Sequence, residues 1–251
     1  MNEMNRQKDL IYLIIVIIIF GLVLGFGSHK KYSSTITDVS WPNCGSKTII
    51  NYQEGIIGVT GGLDFHPNPC LRAETSWFGH YALYINSGYP GMNSQRKFVT
   101  SPLHCTPADS NCLAYNYGFA AAQYALRVAD QAGAYTNLWW IDVETDNSWT
   151  NSTLVNRASL EGMIAAIRQG SFLPEIGIYS TPDQWAIITG GWHNKLPIWI
   201  ATGALNSHSA ALACQTIPFT DGPMWLSQYT TVLDGNIACS NSFTQRVSGL
   251  Q

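Results

Sequence analysis

Residues 138–144 read LWWIDVE, and this stretch decides the fold. A strand with one wet face alternates apolar and polar residues. Here Leu138, Trp139, Trp140 and Ile141 are apolar on both parities, as in a strand covered on both faces. Seven further β-rich runs lie around it: TITDVSW (35–41), GIIGVTG (55–61), HYALYIN (80–86), EIGIYS (175–180), PIWIAT (197–202), MWLSQY (224–229) and LDGNIA (233–238). Helical stretches separate many of them. Residues 156–169 place Leu160, Met163, Ile164 and Ile167 on one stripe, and Gly170 ends it. Residues 115–132 are alanine-rich and end at Gly133, while 68–78 and 182–189 are shorter candidates. Strand–helix alternation predicts a parallel sheet with right-handed crossovers. Eight strands in about 220 residues suit an α/β fold of the TIM-like kind. The expected architecture is a modified eight-stranded β/α barrel with reduced helices in its last third.

Composition removes several function classes. Charged residues make up 12% of the 251, about half of the usual ~25%, and the net charge is −3. Nucleic-acid binding needs clustered Lys and Arg, which are lacking. The 46% apolar content excludes a disordered chain.

The N-terminus is expected to lie outside the barrel. Leu10 to Phe26 are 17 consecutive apolar or glycine residues. At 1.5 Å per residue they reach about 25 Å, enough for a thin or tilted membrane span. Residues 1–31 therefore read as a signal-anchor or signal peptide, with a transmembrane helix, and 32–251 as the barrel domain. No A-x-A cleavage site follows, which favours an anchor. All six cysteines (Cys44, Cys70, Cys105, Cys112, Cys214 and Cys239) lie beyond this run. An even count in an exported chain suggests disulfides. Fifteen pairings are possible, and joining sequence neighbours gives Cys44–Cys70, Cys105–Cys112 and Cys214–Cys239. No C-x-x-C occurs and the histidines lack ligand spacing, so no metal and no cofactor are expected.

The few acids can be weighed singly. Asp142 and Glu144 are two apart at the end of the most apolar run, so both face one way, with Cα atoms about 6–7 Å apart. In a barrel that end is the mouth where active sites form. Two carboxyls losing water together raise the pKa of one of them. A protonated acid beside an ionised carboxylate is what glycoside cleavage uses. An isolated D-x-E would more readily cap a helix or bind an arginine, and it is the strand context that brings the two readings level. Asp38, with Ser40 on its face, ends the first run. Asp234, with Asn236 on its face, lies in the last, although D-G-N is also a turn signal. All nine Trp residues lie beyond the apolar run. Sugar rings stack on aromatic planes and leave their hydroxyls for Asn, Asp and Gln, so Trp41, Tyr179, Trp199 and Tyr229 near strand ends are candidate cleft walls, with Gln228 and Asn236 as further candidate substrate ligands, against the alternative that Trp fills a core.

These motifs carry a resemblance. DVS at the first strand, D-x-E at the fourth, IYST at the fifth, WIA at the sixth, QY at the seventh (Gln228, Tyr229) and the late D-x-N (Asp234, Asn236) resemble glycoside hydrolase family 25. These are lysozyme-type N-acetylmuramidases with a modified eight-stranded β/α barrel. The likeness spans residues 35–238. It is closest to secreted relatives of that family that share DVSWPNCG, GVTGG, NPCL, WWIDVET, NSW, YSTPDQW and ITGGW. It implies Glu144 as general acid, Asp142 as the group that polarises a substrate 2-acetamido group, and Asp38 and Asp234 as supporting acids. The chain departs from the pattern behind DVS, where the family has His or Gln and Trp41-Pro42-Asn43 stands here. The expectation is an extracytoplasmic, membrane-anchored or secreted monomer that cleaves peptidoglycan or a related amino-sugar glycan. The alternative is a non-catalytic glycan-binding barrel of the cell envelope. An acyl or peptide hydrolase is disfavoured, because no G-x-S-x-G occurs.

Overall fold

The computed structural model describes residues 36–46, 52–91, 98, 100–170, 173–230 and 233–248. The expected signal-anchor over 1–31 lies outside the described residues. Among the described residues no helix is long and apolar enough to cross a membrane.

Eight strands close into one barrel in sequence order. They are β1 (Ile36–Val39), β2 (Tyr52–Gly58), β3 (Phe78–Asn86), β4 (Leu138–Asp142), β5 (Glu175–Ser180), β6 (Ile198–Ala204), β7 (Met224–Tyr229) and β8 (Gly235–Ala238). The α-helices are α1 (Leu71–Thr75), α2 (Ser110–Ala132), α3 (Thr153–Gly170), α4 (Pro182–Thr189), α5 (Ser207–Ala213) and α6 (Ser242–Ser248). A short 3-10 turn, Trp41–Asn43, follows β1. The long α2 and α3 lie outside the first half of the barrel, and α5 and α6 are short.

The sheet is not parallel throughout, although strand–helix alternation predicts that it would be. Neighbours from β1 to β7 pair in parallel, but β8 runs antiparallel to both β7 and β1. The cause is connection length. Residues 230–234 alone join β7 to β8, whereas a parallel crossover needs about a dozen or more. The reversal also explains how Asp234 reaches the mouth. A residue preceding a parallel strand would lie at the opposite end of the barrel.

Two apolar layers follow from strand alternation. Outward residues Val39, Ile57, Leu83, Ile85, Trp139, Ile141, Ile176 and Ile178 pack with Phe119, Leu160, Met163 and Ile167 of the helices. Inward residues Ile36, Ile56, Ala82, Leu138, Trp140, Trp199 and Leu226 fill the barrel. Gly177 makes room for this filling, because a Cβ there would stand 2.2 Å from the Trp140 ring. At the lower end α6 closes the barrel. Its Phe243 and Val247 join the inward cluster. Thr244 donates to Glu54 Oε2 at 3.1 Å, and Arg246 pairs with Glu175. The three disulfides join Cys44–Cys70, Cys105–Cys112 and Cys214–Cys239, the sequence-neighbour pairing.

Candidate active site

The upper mouth holds a cavity of about 290 Å³. Asp38, Asp142, Glu144 and Asp234 all line it, together with Tyr84, Tyr179, Trp199 and Gln228. No Lys, Arg or His is among its lining residues. A larger groove, about 510 Å³, runs past the opposite strand ends at Gly79–Tyr81 and Thr136–Asn137. Its one carboxylate, Asp130, stands without a second acid beside it, so size does not locate the chemistry here.

Asp142 is the last residue of β4, and Glu144 stands two residues on. Asn86, its register partner on β3, donates from Nδ2 to Asp142 Oδ2 at 2.5 Å. The Asp142 carbonyl accepts from the Ser87 backbone N–H and the Ser87 hydroxyl. Asp142 Oδ1 is buried and accepts no bond from any described donor. Burial raises the Asp142 carboxyl well above its usual range, and the Glu144 charge adds to this. Burial also raises Glu144, helped by Asp146 and opposed by its contacts with Asp142 and Gln184. Glu144 is the more exposed of the two. Trp149 Nε1 donates to the Glu144 carbonyl at 2.8 Å, and Gln184 of α4 accepts from Thr145, so the segment after β4 is braced on two sides.

Asp38 is the second acid station. Asn236 Nδ2 donates to its Oδ2 at 2.7 Å, and Gln228 Nε2 lies 3.2 Å from both oxygens. Gln228 in turn accepts from the Tyr179 hydroxyl at 2.7 Å, and Asn236 Oδ1 accepts from Trp199 Nε1 at 2.7 Å. A belt of hydrogen bonds thus runs Tyr179–Gln228–Asp38–Asn236–Trp199 across four neighbouring strands and β1. Burial pushes Asp38 up to about 7, against the pull of Asn236 and with a push from Asp234. Asp234 also holds β1 directly, since its carbonyl accepts from the Asp38 backbone N–H at 3.1 Å.

The expected site residues divide accordingly. Asp38, Asp142, Glu144, Asp234, Tyr179, Trp199 and Gln228 come together at one cavity. Trp199 is only 2% exposed and its ring packs on Tyr179, 4.4 Å between centroids, so little of it is open for a sugar to stack on. Asn236 is fully buried and serves Asp38. Tyr229 does not line the cavity, and its ring covers Gly235. Trp41 is 49% exposed and rims the mouth beside Gly62 without lining the cavity. Sequence reasoning missed Tyr84, Asn86 and Gln184. The first two share the inward parity of HYALYIN, and Asn86 ends that strand as Asp142 ends β4, which was a readable signal. Gln184 acts through helix packing and gave none.

A family model described as Lysozyme-like protein 1 matches residues 105–213. A probable GH family 25 lysozyme 4 of Dictyostelium discoideum is 33% identical over 64 residues. That stretch covers 25% of this chain and 29% of the relative, so the match spans under a third of that protein. Two solved structures share the fold. The muramidase from Trichobolus zukalii aligns with a TM-score of 0.52 at 15% identity, over 86% of this chain and all of that one. The lysozyme from Streptomyces coelicolor aligns at 0.52 and 18% identity, over 83% and 89%. The chain is similar in sequence to lysozyme-like proteins and has the barrel of known muramidases.

Proposed function

We propose that this lysozyme-like barrel is a glycosidase that cleaves peptidoglycan or a related amino-sugar glycan. The observation that carries the reading is the Asp142–Glu144 pair, placed in a cavity with two further acids and no cation. Glu144 is the group able to reach a leaving oxygen, because it is partly exposed while Asp142 is buried. Burial raises both carboxyls of the pair, so the pair keeps a proton available to Glu144 nearer neutrality than a free glutamate would. In this reading Glu144 protonates the glycosidic oxygen. Either the substrate's 2-acetamido group or a water attacks the anomeric carbon. Asp142 orients that acetamido group and offsets the charge it gains. Asp38, held by Gln228 and Asn236, and Asp234 stabilise positive charge developing on the sugar. Trp41 at the rim offers an aromatic plane for a neighbouring sugar.

Export accompanies this reading. Three disulfides suit an oxidising compartment, and the apolar residues 10–26 would hold a monomer at the membrane or be removed. N-terminal sequencing of exported protein tests this, with a start beyond residue 26 meaning cleavage.

The main test is product analysis by mass spectrometry after digestion of defined peptidoglycan. Wild type should release new reducing ends, and Glu144→Gln should lower the rate by 10²-fold or more, on the order expected for general-acid loss. Glu144→Gln should still bind glycan. Wild-type protein that binds but never cleaves would leave a glycan-binding barrel instead.

A further inference from the structure

We propose that Asn86, oriented by Thr60, is a positioning residue that holds Oδ2 of Asp142 and so leaves Oδ1 as the oxygen on which the acid pair's proton sits when Asp142 carries it. The inference rests on the glycosidase reading for its purpose, but its evidence is the geometry of the ligand-free site. Thr60 is 2% exposed and stands just beyond β2. Its hydroxyl accepts from the Asn86 backbone N–H at 3.0 Å and donates to Asn86 Oδ1 at 2.8 Å. One hydroxyl proton therefore fixes which end of the amide faces Thr60. The NH₂ end is left for Asp142, and it meets Oδ2 at 2.5 Å. Strand register enforces this meeting, because Asn86 and Asp142 are directly opposed on neighbouring parallel strands.

The two oxygens of Asp142 are thereby made unequal. Oδ2 has a donor, whereas Oδ1 is buried with none among the described groups. A buried anionic oxygen without a donor is costly, and a proton on it removes the charge. The neighbouring carboxyl is Glu144, which can accept a hydrogen bond from protonated Asp142. The resting pair then holds one proton, on Asp142, with Glu144 ionised. When a bound glycan replaces water around Glu144, the proton moves from Asp142 Oδ1 to a Glu144 oxygen and from there to the glycosidic oxygen. Asp142 is left as the carboxylate, still held by Asn86. Asn86 does not line the cavity, so it acts through Asp142 and touches no substrate.

Other groups that act on this pair are Asp64 from the segment after β2, Asp146 beyond β4, Tyr84 on β3 and Tyr179 on β5, with Asp38 of β1 acting on both tyrosines. None of them is altered in the test. The carboxyl carbons of Asp and Glu are labelled with ¹³C and titrated by NMR in ligand-free wild type, Asn86→Leu and Thr60→Val. Loss of a donor to a carboxylate should move the pair's titration upward by about one pH unit in Asn86→Leu. Thr60→Val, a milder change, should move it the same way by less. If hydrolysis is seen, the alkaline limb of kcat/KM should rise by the same amount in Asn86→Leu, with kcat reduced and KM unchanged.

A folded Asn86→Leu whose pair titrates as in wild type overturns the proposal. Should that variant fail to fold, the unshifted titration of Thr60→Val overturns it in the same way. Absence of hydrolysis by wild type would sink the glycosidase reading alone, since the titration is read without substrate.

Discussion

Burying Asp38 has a consequence for stability that depends on pH. Its carboxyl titrates near 3.8 when free and near 7 in the folded protein. Between these values the folded state holds a proton that the unfolded state has released, so stability falls as pH rises from about 4 to about 7. Asp64 and Glu74, also raised to about 7 by burial, act in the same direction. Urea midpoints should therefore be higher at pH 5 than at pH 7.5. Asp38→Asn, which cannot ionise, should remove on the order of 2 kcal/mol of that difference. A pH-independent midpoint in wild type would contradict the burial of these acids. The acids were legible in the sequence and their supports were not. Asp142 and Glu144 announce themselves as D-x-E at the end of an apolar strand. Asn86 gains its role only from register with β4, and Gln228 and Asn236 look like sugar ligands until their amides are seen bound to Asp38.

Helices α2 and α3 meet through glycines that bring their backbones together. A Cβ on Gly162 would stand 2.0 Å from the Tyr115 carbonyl oxygen, and one on Gly118 would stand 1.9 Å from the Ser159 carbonyl oxygen. Neither obstacle is a flexible side chain, so the helices must separate to admit a methyl group. Gly162→Ala should cost about 2–3 kcal/mol in urea denaturation, despite alanine's better helix propensity. Strands β5 and β7 and helix α4 have the bounds that their apolar runs and flanking Gly or Pro suggest. Helices α5 and α6 were illegible because each is seven residues long and depends on packing more than on pattern. Strand–helix alternation predicts a parallel β8 only by extending the pattern into a region without a helix, and the strand is antiparallel. The five-residue spacer was the contrary signal.

For the molecule as a whole, the lower end of the barrel bears much of the closure. Phe243 is fully buried among Ile36, Trp140, Trp225 and other inward residues. Phe243→Ala should cost about 3–5 kcal/mol, read as a lower urea midpoint with the slope kept. A loss under 1 kcal/mol would mean that α6 is an ornament rather than a plug. The reversed β8 has a further consequence for handling the protein. It starts at the cleft and delivers the following chain to the far side, where Ser242–Ser248 lie against the barrel floor. An affinity tag or surface linker joined beyond that helix would emerge away from the acids. Protein immobilised by that end should present an unobstructed cleft to particles as large as whole cell walls, whereas attachment through the Trp41 rim should block them.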